Sequence, residues 1–264
     1  MHVHGSGENG SLDVNVQDQT TEIIDLHLGQ TIQVITIDAN TNIDDTAIII
    51  ASASEPTDGN VVCLKEGTAF YQGEILAHSS AGAGKWNISL DTPLDYAYTT
   101  AGGCSEININ LAIDGSVTPV SFQVSPSGLS AGVKWDVVRV MFQIVDAEAM
   151  DDGKFGGIIG GLTKGIVIRH KNGIVKNIFN VKTNGDFAAH CFDATYVDAT
   201  QGPSGNYAIR VRRTFGGQSK NGAVVRLAED GTEDSDTFEV IVQDDLTGLV
   251  NFQVIAQGHV VDER

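Results

Sequence analysis

Ile107-Asn108-Ile109-Asn110-Leu111-Ala112-Ile113 alternates large apolar residues with polar or small ones. Side chains of an extended strand point to opposite faces in turn, so this stretch reads as a strand with one buried and one wet face. The same period of two recurs along the chain. Ile24, Leu26 and Leu28 oppose Asp25 and His27, and Trp86, Ile88 and Leu90 share a face. Val120, Phe122 and Val124 do likewise. Tyr207, Ile209 and Val211 oppose Arg210 and Arg212, while Phe238, Val240 and Val242 oppose Glu239 and Gln243. Helical periodicity is nearly absent, and the Val, Ile and Thr content suits pleated sheets. The fold class is all-β.

Turn chemistry points the same way. Asn172-Gly173 separates Gly165–His170 from Ile174–Lys182, and Asn-Gly is the preferred pair of a two-residue type I′ hairpin. Thr183-Asn184-Gly185-Asp186 and Lys220-Asn221-Gly222 read as further turns of an antiparallel meander. Asp146–Gly161, rich in acids and glycine, is left outside the strands and allowed a helical turn. The Ser/Gly/Pro run at 125–132 marks a boundary. The expected organisation is therefore two tandem antiparallel β-sandwich domains of jelly-roll type. The chain divides into an N-terminal arm (1–11), an acidic sandwich (12–126), a linker (127–132) and a second sandwich (133–264).

The 264 residues are 41% hydrophobic and 19% charged, enough apolar content for a packed core. The 30 glycines suit many tight turns. A net charge of −18 argues against a nucleic-acid binder, whose footprint is basic. No apolar run is long enough for a membrane helix, and the N-terminus lacks a secretory pattern. The charge is unevenly spread. Residues 1–132 carry 2 basic and 16 acidic residues, 164–226 carry 10 basic and 3 acidic, and 227–264 carry 1 basic and 10 acidic. Blocks of opposite sign allow copies to attract one another. Alternation places Arg210, Arg212 and Arg226 outward on adjacent strands. They would repel unless carboxylates neutralise them, with Glu239 the expected partner inside the subunit and acids of a neighbour supplying the rest.

Sites for chemistry are weakly signalled. Cys63, Cys104 and Cys191 are odd in number and far apart, which gives neither a disulfide framework nor a zinc motif. Gly156-Gly157-Ile158-Ile159-Gly160-Gly161 before Thr163-Lys164 lacks the spacing of a phosphate loop. Asp38-Ala39-Asn40-Thr41-Asn42-Ile43-Asp44 has alternating oxygen ligands but not the glycine and glutamate of a calcium loop. His78 and His190 lack the nucleophile-elbow context of a hydrolase. No catalytic residue, metal or cofactor is expected.

Several segments taken together resemble a family of tailed-bacteriophage virion proteins. They are Asp91-Thr92-Pro93-Leu94-Asp95-Tyr96, Met150-Asp151-Asp152-Gly153-Lys154-Phe155-Gly156-Gly157, Arg212-Arg213-Thr214-Phe215-Gly216-Gly217-Gln218-Ser219-Lys220-Asn221-Gly222, Val242-Gln243-Asp244-Asp245-Leu246-Thr247 and Gln257-Gly258-His259-Val260-Val261. The likeness runs from about residue 60 onward. It implies a structural, non-enzymatic virion component made in the host cytoplasm, first a tail-tip or baseplate protein and second a head decoration protein. The implied partners are copies of the chain in a ring or trimer and other virion proteins, with neither nucleic acid nor membrane. A carbohydrate-binding module for a host-surface glycan is the rival from another class. The outward arginines Arg210, Arg212 and Arg226 are the expected assembly interface.

Overall fold

A computed structural model describes residues 23–172, 174–190, 193–199, 206–215, 225–228 and 236–262. Within them the chain is all-β apart from one short helix, and every strand pairing is antiparallel. Six strands close into a barrel in the order β2 (Gln30–Ile37), β3 (Ala47–Ala51), β6 (Lys85–Leu90), β5 (Ala69–Gly82), β4 (Val61–Glu66) and β7 (Gly103–Asn108). A six-stranded sheet runs β1 (Ile23–His27), β16 (Asn251–Asp262), β9 (Val133–Asp146), β13 (Asn206–Thr214) and β12 (Asp193–Ala199), with β14 (Val225–Ala228) also on β9. A four-stranded sheet runs β11 (Ile174–Val181), β10 (Ile166–Asn172), β15 (Thr237–Val242) and β8 (Val120–Val124).

The last two sheets share one core. Trp135 and Phe142 of β9, Phe252 and Val254 of β16, Phe122 of β8 and Phe238 of β15 are buried in a single cluster. Phe142 meets Phe179 of β11 edge-on, with ring centroids 6.1 Å apart. The barrel has its own core of Ile35, Ile37, Ile50, Leu64, Ile75 and Ile88. Its closure depends on β2, which is shifted at Thr31/Gln33 and shared between β7 and β3, and on β5. β5 carries register shifts at Ile75/Ala77 and Ser80/Gly82, and it pairs β4 with its first half and β6 with its second. Bulges bend a strand and raise its twist, which lets a short sheet curl onto itself.

The division of the chain therefore differs from the expected break at 127–132. The barrel is an insertion between Gly29 and Ile109, and its flanks belong to the sandwich. β1 pairs β16 near the C-terminus, β8 pairs β15, and the Leu111 amide donates to the Phe252 carbonyl. The described residues 23–126 thus do not make a sandwich of their own. The 125–132 segment is pinned at the joint instead: Leu129 is in the sandwich core, Ser130 donates to the Gly67 carbonyl, and Lys65 Nζ donates to the carbonyls of Ser125 and Ser127 at 2.6 and 2.8 Å.

Three local readings change. The alternating burial of Ile107, Ile109 and Leu111 holds, but the ladder ends at Asn108. The side chains of Asn108 and Asn110 capture the amides of Asn110 and Ala112, local bonds that compete with strand pairing. Thr183–Asp186 is not a hairpin turn but the start of α1 (Asn184–His190). Thr183 Oγ1 accepts from the Asp186 amide at 3.2 Å and Asp186 Oδ2 accepts from the Thr183 amide at 3.1 Å, a reciprocal capping box. The β10–β11 hairpin forms, yet its register pairs Lys171 with Val175 and Asn172 with Ile174, which is not the register of a two-residue Asn-Gly loop. Gly173 itself, like the Lys220-Asn221-Gly222 turn, lies outside the described residues.

Candidate functional site: the outer face of the six-stranded sheet

The six-stranded sheet buries one face in the core and turns the other outward. Strand register sets the rows of that outer face. Asp25, Gln257, Arg139 and Thr214 form one row across β1, β16, β9 and β13. His27, Ile255, Met141 and Arg212 form the next. Gln253, Gln143 and Arg210 form a third, and Asn251, Val145 and Ala208 a fourth. The central positions, 139, 141, 143 and 145 of β9 and 251, 253, 255 and 257 of β16, contain neither a carboxylate nor a lysine. All eight are half-buried. A wetted sheet face ordinarily carries lysine, glutamate and threonine. Acids and lysine are absent from these eight positions, while Met141 and Arg139 are present.

Arg210 and Arg212 do point outward from β13, Arg210 exposed and Arg212 half-buried. Arg226 points outward from β14. The structure places their partners differently from the expectation. Arg226 grips Asp136 through Nε and Nη2, both at 2.6 Å. Asp136 is its ladder partner on β9. Arg210 donates to Gln143 Oε1 at 2.7 Å. Asp193 of β12 lies opposite Arg212 in register.

Glu239 is engaged by Arg169 and Ser121. It does project from the non-core face of β15, but it is only 5% exposed. Arg169 of β10 pairs with it through Nε at 2.9 Å and Nη2 at 3.0 Å, and Ser121 Oγ donates to it at 2.7 Å. Its ladder neighbours Arg169 and Gln123 cover it, a tertiary effect outside the reach of strand periodicity.

The other buried polar groups hold backbone in place. Asp244 accepts from the consecutive amides of Thr163, Lys164 and Gly165 at 2.7–3.1 Å. Asp146 accepts from Glu148 and Gly157. Asn184 donates through Nδ2 to the carbonyls of Asp151 and Gly156 and accepts from the Gly156 amide at 2.7 Å. Glu106 of β7 accepts from Gln33, Thr57 and Asn60. The Asp38–Asp44 stretch forms hydrogen-bonded turns, with Asp38 paired to Lys85 at 2.9 Å. Burial raises the Cys63 thiol to about 11 and moves Cys104 in the same direction, so both are held as neutral thiols. Cys191 lies outside the described residues. Among the described residues no three His, Cys, Asp or Glu side chains converge as metal ligands, and no helix is long and apolar enough to cross a membrane.

His78 bridges two carboxylates on the barrel. Its Nδ1 is 2.7 Å from Asp58 and its Nε2 is 2.9 Å from Glu55, and its ring meets Trp86 edge-on. Hydrogen bonds to Glu55 and then Asp58 raise its pKa above the ordinary value of about 6.5. A raised folded pKa means the clamp stabilises fully below the ordinary value and fades as pH rises through the higher one. Melting temperature in the wild type is therefore expected to fall with rising pH across this window. The slope is expected to flatten in His78→Gln. Parallel slopes in the two proteins would show that the clamp contributes nothing.

No protein-family model, curated protein or solved structure matches the chain.

Proposed function

We propose that this chain is a structural, non-enzymatic subunit of a tailed-phage virion, at the tail tip or baseplate, and that it assembles through the outer face of its six-stranded sheet. The observation that carries the assembly role is the half-buried centre of that face, free of acids and lysine, between Asn251 and Gln257 on β16 and Arg139 and Val145 on β9. The virion context is supported by the likeness of the quoted segments. Two of these have architectural roles: Phe155 packs against Phe187 and Phe252, and Asp244 cradles the 163–165 backbone. Hydrophobic contact holds such an interface while exposed charge pairs, worth about 0.2–1 kcal/mol each, set its register.

Reversing Arg210 and Arg212 together to glutamate is expected to impair oligomerisation or incorporation into particles, with the melting temperature within a few degrees of wild type. Light scattering, a melting curve and labelling of intact particles measure all three. A folded double variant that assembles like wild type would reduce this face to solvated surface. Label on the head shell rather than the tail tip would make the chain a decoration protein.

A further inference from the structure

Charge on the outer face is polarised across the strands. At the β1 edge Asp25 is exposed, and the exposed Glu74 and Asp91 of the barrel join it in acting on His27. Asp25 and Asp95 also line a cavity of about 260 Å³ between β1, Tyr71 and the Thr92-Pro93 turn. At the other side lie Arg210 and Arg212 of β13, three strand steps away, with Asp193 of the outermost strand β12 opposite Arg212 in register. Between the two edges run the rows of β16 and β9 without acid or lysine, with Ile255 beside Met141 at the centre.

A surface that is acidic on one flank, basic on the other and largely uncharged in the middle is complementary to itself. A two-fold contact pairs each patch with its own image, so its axis must bring unlike patches together. An axis in the sheet plane but perpendicular to the strands would lay β1 on β1 and acid on acid. An axis parallel to the strands, running between β16 and β9, lays the β1 edge on the partner's β13, with His27 and its neighbouring acids Asp25, Glu74 and Asp91 under the second copy's Arg212. The same rotation sets Met141 on the Ile255 position and Gln143 on the Gln253 position of the second copy. At ~4.8 Å between strands and ~3.4 Å per residue the overlap of the four strands under this rotation covers roughly 550 Å² per copy, close to the ~600 Å² per partner at the low end of specific interfaces.

We propose that this face is the contact surface of a two-fold dimer of the chain, with the axis parallel to the strands between β16 and β9. The proposal rests on the reading that the face is an assembly surface, and it names the occupant as a second copy.

Sedimentation of the full chain over a concentration series tests it. The wild type is expected at twice the monomer mass. Ile255→Glu alone, or Met141→Lys alone, buries an unpaired charge at the centre and is expected to raise the dimer dissociation constant about 100-fold or more. Both positions face outward, so each variant should melt like wild type. In a mixture of the two variants, the introduced carboxylate of one copy faces the introduced ammonium of the other. The second contact across the axis keeps the native pair of Met141 and Ile255. Dimerisation is expected to return to within about tenfold of wild type. A monomeric wild type, an unaffected Ile255→Glu variant or a mixture that stays monomeric would each overturn the proposal. If the self-contact fails these tests while Arg210→Glu/Arg212→Glu still blocks incorporation into particles, the occupant is another virion protein and the assembly role stands. If neither changes, both fall.

Discussion

Gly258→Val is expected to destabilise the protein by about 3 kcal/mol. Gly258 lies where β16 passes a bulge in β9. Gln257 pairs with Arg139 and Gly258 with Val137, so Val138 is the extra residue. That bulge divides β9 into two halves, one pairing β13 up to Arg139 and the other pairing β14 from Val137. To follow β9 across it, β16 comes so close that a Cβ on Gly258 would stand 2.0 Å from the Asp136 carbonyl oxygen. The next contacts, at 2.8 and 2.9 Å, are also backbone, so no flexible side chain can swing aside. Gly258→Ala is expected to cost nearly as much, because the clash is already complete at Cβ. Chemical denaturation of the two variants checks this. A wild-type midpoint for Gly258→Ala would mean that β16 can move off the bulge at little cost.

Asp244→Ala is expected to cost a similar amount, about 3 kcal/mol. The carboxylate is 9% exposed and accepts from three successive amides where the chain enters β10. Bonds to a charged acceptor are stronger than neutral ones, and removing it strands several buried donors at once. Asp244→Asn keeps one carbonyl-type acceptor but turns an NH2 group toward amides that also donate. Its expected loss is about 1.5–2 kcal/mol, intermediate between alanine and wild type. Thermal melts of the pair give the order. Equal stability of Asp244→Asn and wild type would show that geometry rather than charge holds this turn.

The parts of the fold that depend on local alternation were legible in the sequence. Ile24, Leu26, Phe122, Ile209 and Val240 face the core as their spacing requires. The parts that depend on distant pairing were not. Nothing within Ile23–His27 announces that its partner is Ile255–His259, so the barrel reads as the start of a domain rather than an insertion. Closure of that barrel rests on irregularities in β5 and β2, which blur the alternation instead of marking it. The capping box at Thr183 and Asp186 was visible, but the Asn-Gly inside it reads more strongly as a turn.

The candidate site divides in the same way. The outward direction of Arg210 and Arg212 follows from the pattern, while the Asp136–Arg226 and Arg169–Glu239 pairs are products of register between strands far apart in sequence. The signal that sequence reasoning missed lies in β16. Asn251, Gln253, Ile255 and Gln257 alternate with core residues yet place no acid or lysine on the outer face. That composition is unusual for a solvated strand in a chain of net charge −18.

The most direct measurement of the assembly role is the rate at which hydrogen peroxide oxidises Met141 in the assembled and the dilute, dissociated protein. Met141 is half-buried at the centre of the outer face, and Met150, half-buried in the loop after β9, serves as the internal reference. Assembly through the sheet face predicts that Met141 oxidation slows severalfold in the assembled state while Met150 is unchanged. Equal rates for Met141 in the two states would show that the protein assembles, if it does, through some other surface.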